Sequence, residues 1–413
     1  MENDAIMSAG EAGRWREEFR RELVENILPF WMTRAFDPAG GFYGKIDCDM
    51  TVEKAAPRSA VLETRILWTF AAACRIFGDA YRPAADHSFA YVCDRFFDPG
   101  AGGVYWLLDA GGQPLADRKQ IYAQAFAIYG LAEYYRATGC GEALACAQDL
   151  SRLIEEKSRD TAFGGYWEAR ARDWSPLADM RLSEKDLNSP KSMNTHLHVM
   201  EAYTNLLRVW RDPGLIARQT DLLRLVLTRI FDAKSGHLML FFDEKWRPLT
   251  HGFSFGHDIE TSWLLCEAAE VLGDKALQAE AKKAALQLAE AVYRQGLDAD
   301  GSLFYEADEN GVLTDANKHW WAEAEAVTGF YNAFQLSGEA RFASAARRAW
   351  DYIETHVIDR RSGEWHAKLA RDGRPLTPEE DGDACLAGPW KCPYHNSRVA
   401  FEMLARLKPA AAE

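Results

Sequence analysis

Across 413 residues the chain has no run of 18 apolar residues, no concentrated basic segment and no regular cysteine spacing. The first absence leaves no helix able to span a bilayer. The second, with a net charge of −14 spread along the chain, removes the electrostatic footprint that a nucleic-acid backbone requires. The eight cysteines, at 48, 74, 93, 140, 146, 266, 385 and 392, contain no CxxC pair. A chain this long needs no disulfide staples, so free thiols in a reducing cytoplasm are expected. Cys140 and Cys146 allow a metal pair by spacing, but buried helical cysteines are the commoner case. The opening MENDAIMSAGEAGRWREEFR is polar and lacks the apolar centre of a signal peptide. There is no GxGxxG after a strand and no GxxxxGK[ST], so no nucleotide site is expected.

What is present is a repeat. An Asp, a few small residues, a Gly and then an apolar or aromatic run recur as DPAGGFYGKID from Asp37, DPGAGGVYWLLD from Asp98, DTAFGGYWEAR from Asp160, DAKSGHLMLFFD from Asp232, DADGSLFYEAD from Asp298 and DRRSGEWHAKLA from Asp359. The last Gly before each run falls at 41, 103, 165, 236, 301 and 363, at intervals of 62 to 71 residues. Between these loops apolar residues recur at three- and four-residue spacing, as in 59–77 then 83–97 and 122–138 then 142–157, which predicts helix pairs. A unit of two helices and one loop cannot bury its own apolar face, so neighbours must stack. The expected fold is all-α: an (α/α)6 barrel of six helix-pair repeats with short hairpins or loops at one end, as one domain over 1–413. An open superhelix is the alternative. Closure is favoured because polar segments from separate repeats make sense only if they converge.

Those segments are KSMNTHLHVMEAY (191–203), GHDIETSWLLCEA (256–268), KHWWAEAEA (318–326) and WKCPYHNSR (390–398), with Arg65 alone in the apolar ETRILWTF (63–70). Asn194 and His198 share a helix face, as do His257 and Glu260. A carboxylate one turn from an imidazole can fix its tautomer and tune its pKa, which is how a general acid or base is built. A metal reading of His196, His198, His257 and Glu260 lacks HExxH, and two histidines two apart cannot both face one pocket, so no metal is expected. Fourteen tryptophans among carboxylates and amides suit a carbohydrate site, where C–H faces stack on rings and hydroxyls take polar partners.

The runs KSMNTHLH, GHDIE and WKCPYHN resemble the N-acylglucosamine 2-epimerase superfamily, and within it the cellobiose 2-epimerase branch, over nearly the whole chain. The resemblance implies an (α/α)6 barrel and a sugar isomerase that inverts carbon 2 through an enediolate without a cofactor. It implies His257 and His395 as the proton-transferring pair and Glu260 as the group orienting His257. Arg65 would stabilise the enediolate, and His198 would hold O1 or assist ring opening. Tyr122, Asn194, Trp320 and Trp390 would contact the sugar, with Glu323 beside them. Ala322 departs from the bulkier residue of many relatives. The expected substrate is the reducing-end glucose of a β-1,4 disaccharide, taking cellobiose to glucosyl-mannose and lactose to epilactose. The alternatives are free mannose or glucose and, further off, N-acylglucosamine. An inverting glycosidase would need two carboxylates about 6.5–9.5 Å apart, a role open to Glu323 and Glu325. A non-catalytic sugar- or protein-binding module is the remaining reading. A monomer or a homodimer is expected.

Overall fold

The computed structural model describes residues 9–407. Among them, helices alternate between an outer and an inner layer. They are α1 (Ala9–Arg21, running on through a π turn at Glu22–Ile27 into Leu28–Thr33), α2 (Ala60–Phe77), α3 (Arg82–Tyr91), α4 (Ile121–Thr138), α5 (Gly141–Lys157) and α6 (Met193–Leu207). The second half holds α7 (Pro213–Leu225), α8 (Phe255–Leu272), α9 (Lys275–Gln295), α10 (Trp320–Ser337), α11 (Ala340–Tyr352) and α12 (Tyr394–Arg406). The even-numbered helices are inner. In α4 every residue from Ile121 to Tyr134 is buried, and in α10 every residue from Trp320 to Ala333, the mark of a helix enclosed on all sides. The odd-numbered helices bury one stripe each.

Each inner helix packs on the next, and α12 returns to α2, which closes the ring. The loops close it a second time. The extended pair before an inner helix bonds antiparallel to the loop of the following repeat: Arg58–Ser59 to Leu107–Leu108, Lys119–Gln120 to Ala169–Arg170, Lys191–Ser192 to Phe241–Phe242, Phe253–Ser254 to Glu306–Ala307, and Lys318–His319 to Lys368–Leu369. Ile46–Asp47 then pairs with Cys385–Ala387, joining first repeat to last. The open superhelix is thereby excluded. The glycines at 41, 103, 165, 236, 301 and 363 all adopt positive φ, a conformation that costs other residues energy and so fixes the period of the sequence.

A second repeat lies beneath the glycines. The fourth residue of an inner helix accepts the backbone N–H just past the loop glycine: Glu63 from Phe42 (2.8 Å), Gln124 from Val104 (2.7 Å), His196 from Tyr166 (2.8 Å), Asp258 from Leu238 (2.8 Å) and Glu323 from Leu303 (2.9 Å). Two residues before the helix, a buried cation holds the loop aspartate: Arg58 on Asp37, Lys119 on Asp98, Lys191 on Asp160 and Lys318 on Asp298. The fourth repeat has Phe253 there instead, stacked at 3.7 Å on His237, whose Nδ1 lies 2.7 Å from Asp258. This lattice makes the loop end of the barrel a rigid collar.

Candidate active site

The collar surrounds the N-terminal halves of the inner helices, and there the polar segments converge. Ser192 caps α6 by accepting from Thr195 N. That start places His198 one turn into the barrel, between the rings of Tyr122 (5.0 Å) and Phe126 (4.8 Å). Arg65, from α2, is 3% exposed. It donates to Tyr122 OH at 2.7 Å and lies over the faces of Phe126 (4.1 Å) and Tyr394 (4.7 Å). Its Nε has no partner among the described residues, nor has Asn194 Oδ1 or Trp320 Nε1. Unpaired buried polar atoms on three helices are costly unless a polar ligand completes them.

Three histidines share one arrangement. His198 Nδ1 lies 2.8 Å from Glu201 Oε2, His395 Nδ1 lies 2.8 Å from Glu325 Oε1, and His257 Nδ1 lies 2.9 Å from Ser254 Oγ. A carboxylate accepts, so His198 and His395 carry their proton on Nδ1, and Nε2 is left with its lone pair. No Nε2 of the three has a hydrogen-bond partner among the described residues. Trp321 fills the space between His257 (4.8 Å) and His395 (5.6 Å), and Trp320 stands 6.4 Å from His395. Trp390 is half-buried, 5.9 Å from Trp106 and 6.0 Å from Tyr122, so an aromatic wall leads outward from the histidines.

Beneath them sits a buried ionic knot. Arg398, 1% exposed, donates to Glu201, Glu260 and Glu325. Tyr394 OH donates to Glu201, and Trp263 Nε1 to Glu325 at 2.9 Å. Burial pushes Glu201 up, but Arg398 and His198 outweigh it and hold that carboxyl near 2. Burial and the proximity of the other glutamates push Glu260 and Glu325 upward. Burial brings the His257 imidazole down to about 3, with the neighbouring His198 adding to it. His395 is lowered by burial and then by Arg398 and Arg65, and His198 by burial against the opposing pull of Glu201. All three imidazoles are therefore neutral at ordinary pH. Glu260, Glu325 and His395 bring ligand atoms within 4.8 Å of one another, and they are the groups with which a cation could be held. The Arg398 guanidinium already fills that cationic position.

Two expectations require correction. Glu260 does not orient His257: the two share a helix face, but the carboxylate turns to Arg398, and Ser254 holds the imidazole. Glu323 does not face the pocket. It is a member of the collar series, fully buried and engaged twice by Leu303 N, so it pairs with no acid across a sugar. Arg65, Tyr122, Asn194, His198, His257, Trp320, Trp390 and His395 are brought together. Glu201, Ser254, Tyr394, Arg398, Trp106 and Trp321 are additions, and Glu325, read from the sequence as an acid of the glycosidase alternative, holds His395 instead. Glu201 and Arg398 carried a signal, each standing three residues after a histidine.

The sequence pattern of the N-acylglucosamine 2-epimerase family matches residues 41–386. The chain belongs to that family. It is 45% identical to the cellobiose 2-epimerase of Bacteroides fragilis over 94% of this chain and 98% of that protein. It is 36% identical to the cellobiose 2-epimerase of Dictyoglomus turgidum over 95% and 98%. The solved structure of cellobiose 2-epimerase from Bacillus thermoamylovorans superposes with a TM-score of 0.90 at 40% identity, covering 95% of this chain and all of that one.

Proposed function

We propose that this chain is a carbohydrate isomerase that inverts carbon 2 of the reducing-end glucose of a β-1,4-linked disaccharide. The observation that carries the reading is a pair of neutral histidines, His257 on α8 and His395 on α12, each held through Nδ1 with Nε2 unpartnered among the described residues, near the buried Arg65. The near-complete alignment with cellobiose 2-epimerases supports the disaccharide as substrate.

In the proposed reaction the sugar ring opens to its aldehyde, aided by His198 at O1. One of His257 and His395 takes the C2 proton on Nε2, and the electron pair moves into a C1–C2 enediolate. Arg65, buried beside His198, would stabilise the charge that develops on the enediolate oxygen, and preorganised charge of this kind is usually the largest catalytic contribution. The second histidine enters the step with its proton on Nε2, as His257 does when Ser254 Oγ donates to its Nδ1. It gives that proton to the other face of C2, proton exchange with solvent restores both imidazoles, and the sugar ring closes. The two histidines come from helices separated by α10 in the ring, which suits approach from two sides. Trp320 and Trp390 supply stacking faces, and Trp390 with Trp106 extends them toward a second sugar.

Product analysis on cellobiose, lactose, mannose and N-acetylglucosamine tests the reading. Glucosyl-mannose and epilactose are expected as the main products. Turnover of mannose alone would move the substrate assignment to free hexoses, and release of glucose from cellobiose would replace epimerisation by hydrolysis.

A further inference from the structure

Arg398 has no place in the proton transfers, yet it touches the support of two of the three histidines. Glu201, which it holds, bonds His198, and Glu325, which it also holds, bonds His395. We propose that Arg398 is a positioning residue for the epimerisation, a single buried cation that binds the orienting carboxylates of His198 and His395 and keeps both imidazoles in the neutral, Nε2-accepting form. This inference rests on the functional reading above.

Three glutamates meet one guanidinium, and all four side chains are no more than 2% exposed. Arginine presents a rigid fork of donors, and lysine would place a single point charge. The groups facing His395 are Arg65 from α2, His198 and Glu201 from α6, Glu260 from α8, Glu325 from α10, and Tyr394 and Arg398 on its own helix. Only the two arginines among them are fixed cations. Without Arg398, the imidazole becomes the nearest group able to neutralise Glu325. It would then keep a proton on Nε2 and cease to be a base.

Arg398 also lines a cavity of about 530 Å³ at the opposite end of the barrel, with Trp68, Arg208, Trp263 and Glu267. The site emptied by Arg398→Ala therefore adjoins space that the sugar does not use.

The experiment uses the full chain with cellobiose, measuring kcat and KM from about pH 5 to about pH 9, where imidazoles titrate. For Arg398→Gln the expected result is a fall in kcat of about 10²-fold with KM little changed. The acid limb of kcat/KM should move up by about one pH unit or more, because the lost cation no longer depresses the histidines. In Arg398→Ala, guanidinium ion should restore kcat without competing with the sugar, and urea, the uncharged analogue, should not. Wild-type kcat and an unmoved acid limb, with only thermal stability lowered, would overturn the inference. If neither variant folds, Arg398→Lys decides: kcat about tenfold down at unchanged KM is expected, since one ammonium cannot serve three carboxylates. Wild-type kcat in that variant overturns the inference. A wild-type chain that epimerises none of the sugars fails the functional reading itself, before any Arg398 variant is compared.

Discussion

The His395 imidazole is held through Nδ1 by Glu325, 2.8 Å away on the neighbouring inner helix. That bond settles which ring nitrogen faces the pocket, and so what His395 can do. Glu325→Gln keeps the shape and removes the charge. Since an amide can also donate to Nδ1, it permits the opposite tautomer. The expected result is a loss in kcat of about 10²-fold or more with KM nearly constant. Steady-state kinetics on cellobiose checks it, and a change in KM alone would show that Glu325 serves binding.

His257→Asn and His395→Asn should each lower kcat by about 10²–10⁴-fold, the range for a general acid–base group. Near-normal turnover in either variant would remove that histidine from proton transfer.

The pH dependence follows from burial. The His257 pKa is lowered from 6.5 to about 3, and those of His198 and His395 lie below 6.5. A base with a lowered pKa stays neutral until the pH falls through that lower value. The acid limb of kcat/KM should therefore lie well under 6.5. A limb at the ordinary histidine value would mean that the imidazoles are solvated in the working enzyme.

Glu323 offers a test of the collar. Its pKa is raised from 4.5 to about 8, chiefly by burial. A carboxyl whose folded pKa is raised costs stability as pH climbs from 4.5 to 8, because the unfolded chain ionises first. In the second repeat the same position is Gln124, which accepts from Val104 N and donates to Val104 O. Glu323→Gln should thus stabilise the fold by about 2–4 kcal/mol above pH 8, with little gain below pH 4.5. Thermal melts across pH measure this. Sugar kinetics should be unchanged, and a large rise in KM would return Glu323 to the pocket.

Gly329, on α10, lets that helix touch α8: a Cβ there would lie 2.5 Å from Ile259 Cγ1 and 2.6 Å from Ile259 O. Gly329→Ala should cost about 1–3 kcal/mol, as overpacking of a tight core does. Denaturant unfolding gives the number, and an unchanged midpoint would contradict so close an approach.

The ring was legible in the sequence because each repeat needs one residue at positive φ, and glycine alone meets that need without cost. The pocket was legible in part, since Asn194, His198, His257 and His395 sit in segments too polar for plain helix. Spacing along one helix reveals a shared face but not the partner from another helix. Glu260 therefore read as the companion of His257, when Arg398, 138 residues away in the chain, reaches it instead. Glu323 and Glu325 are two apart and looked equivalent. Only the collar shows that one fixes a loop and the other a histidine.

The central claim is proton transfer at carbon 2 of an intact disaccharide. Turnover of cellobiose in heavy water, followed by NMR, tests it most directly. The account predicts glucosyl-mannose bearing deuterium at C2 of its reducing residue, with the glycosidic bond uncut. A product retaining its original hydrogen at C2, or free glucose, would contradict it.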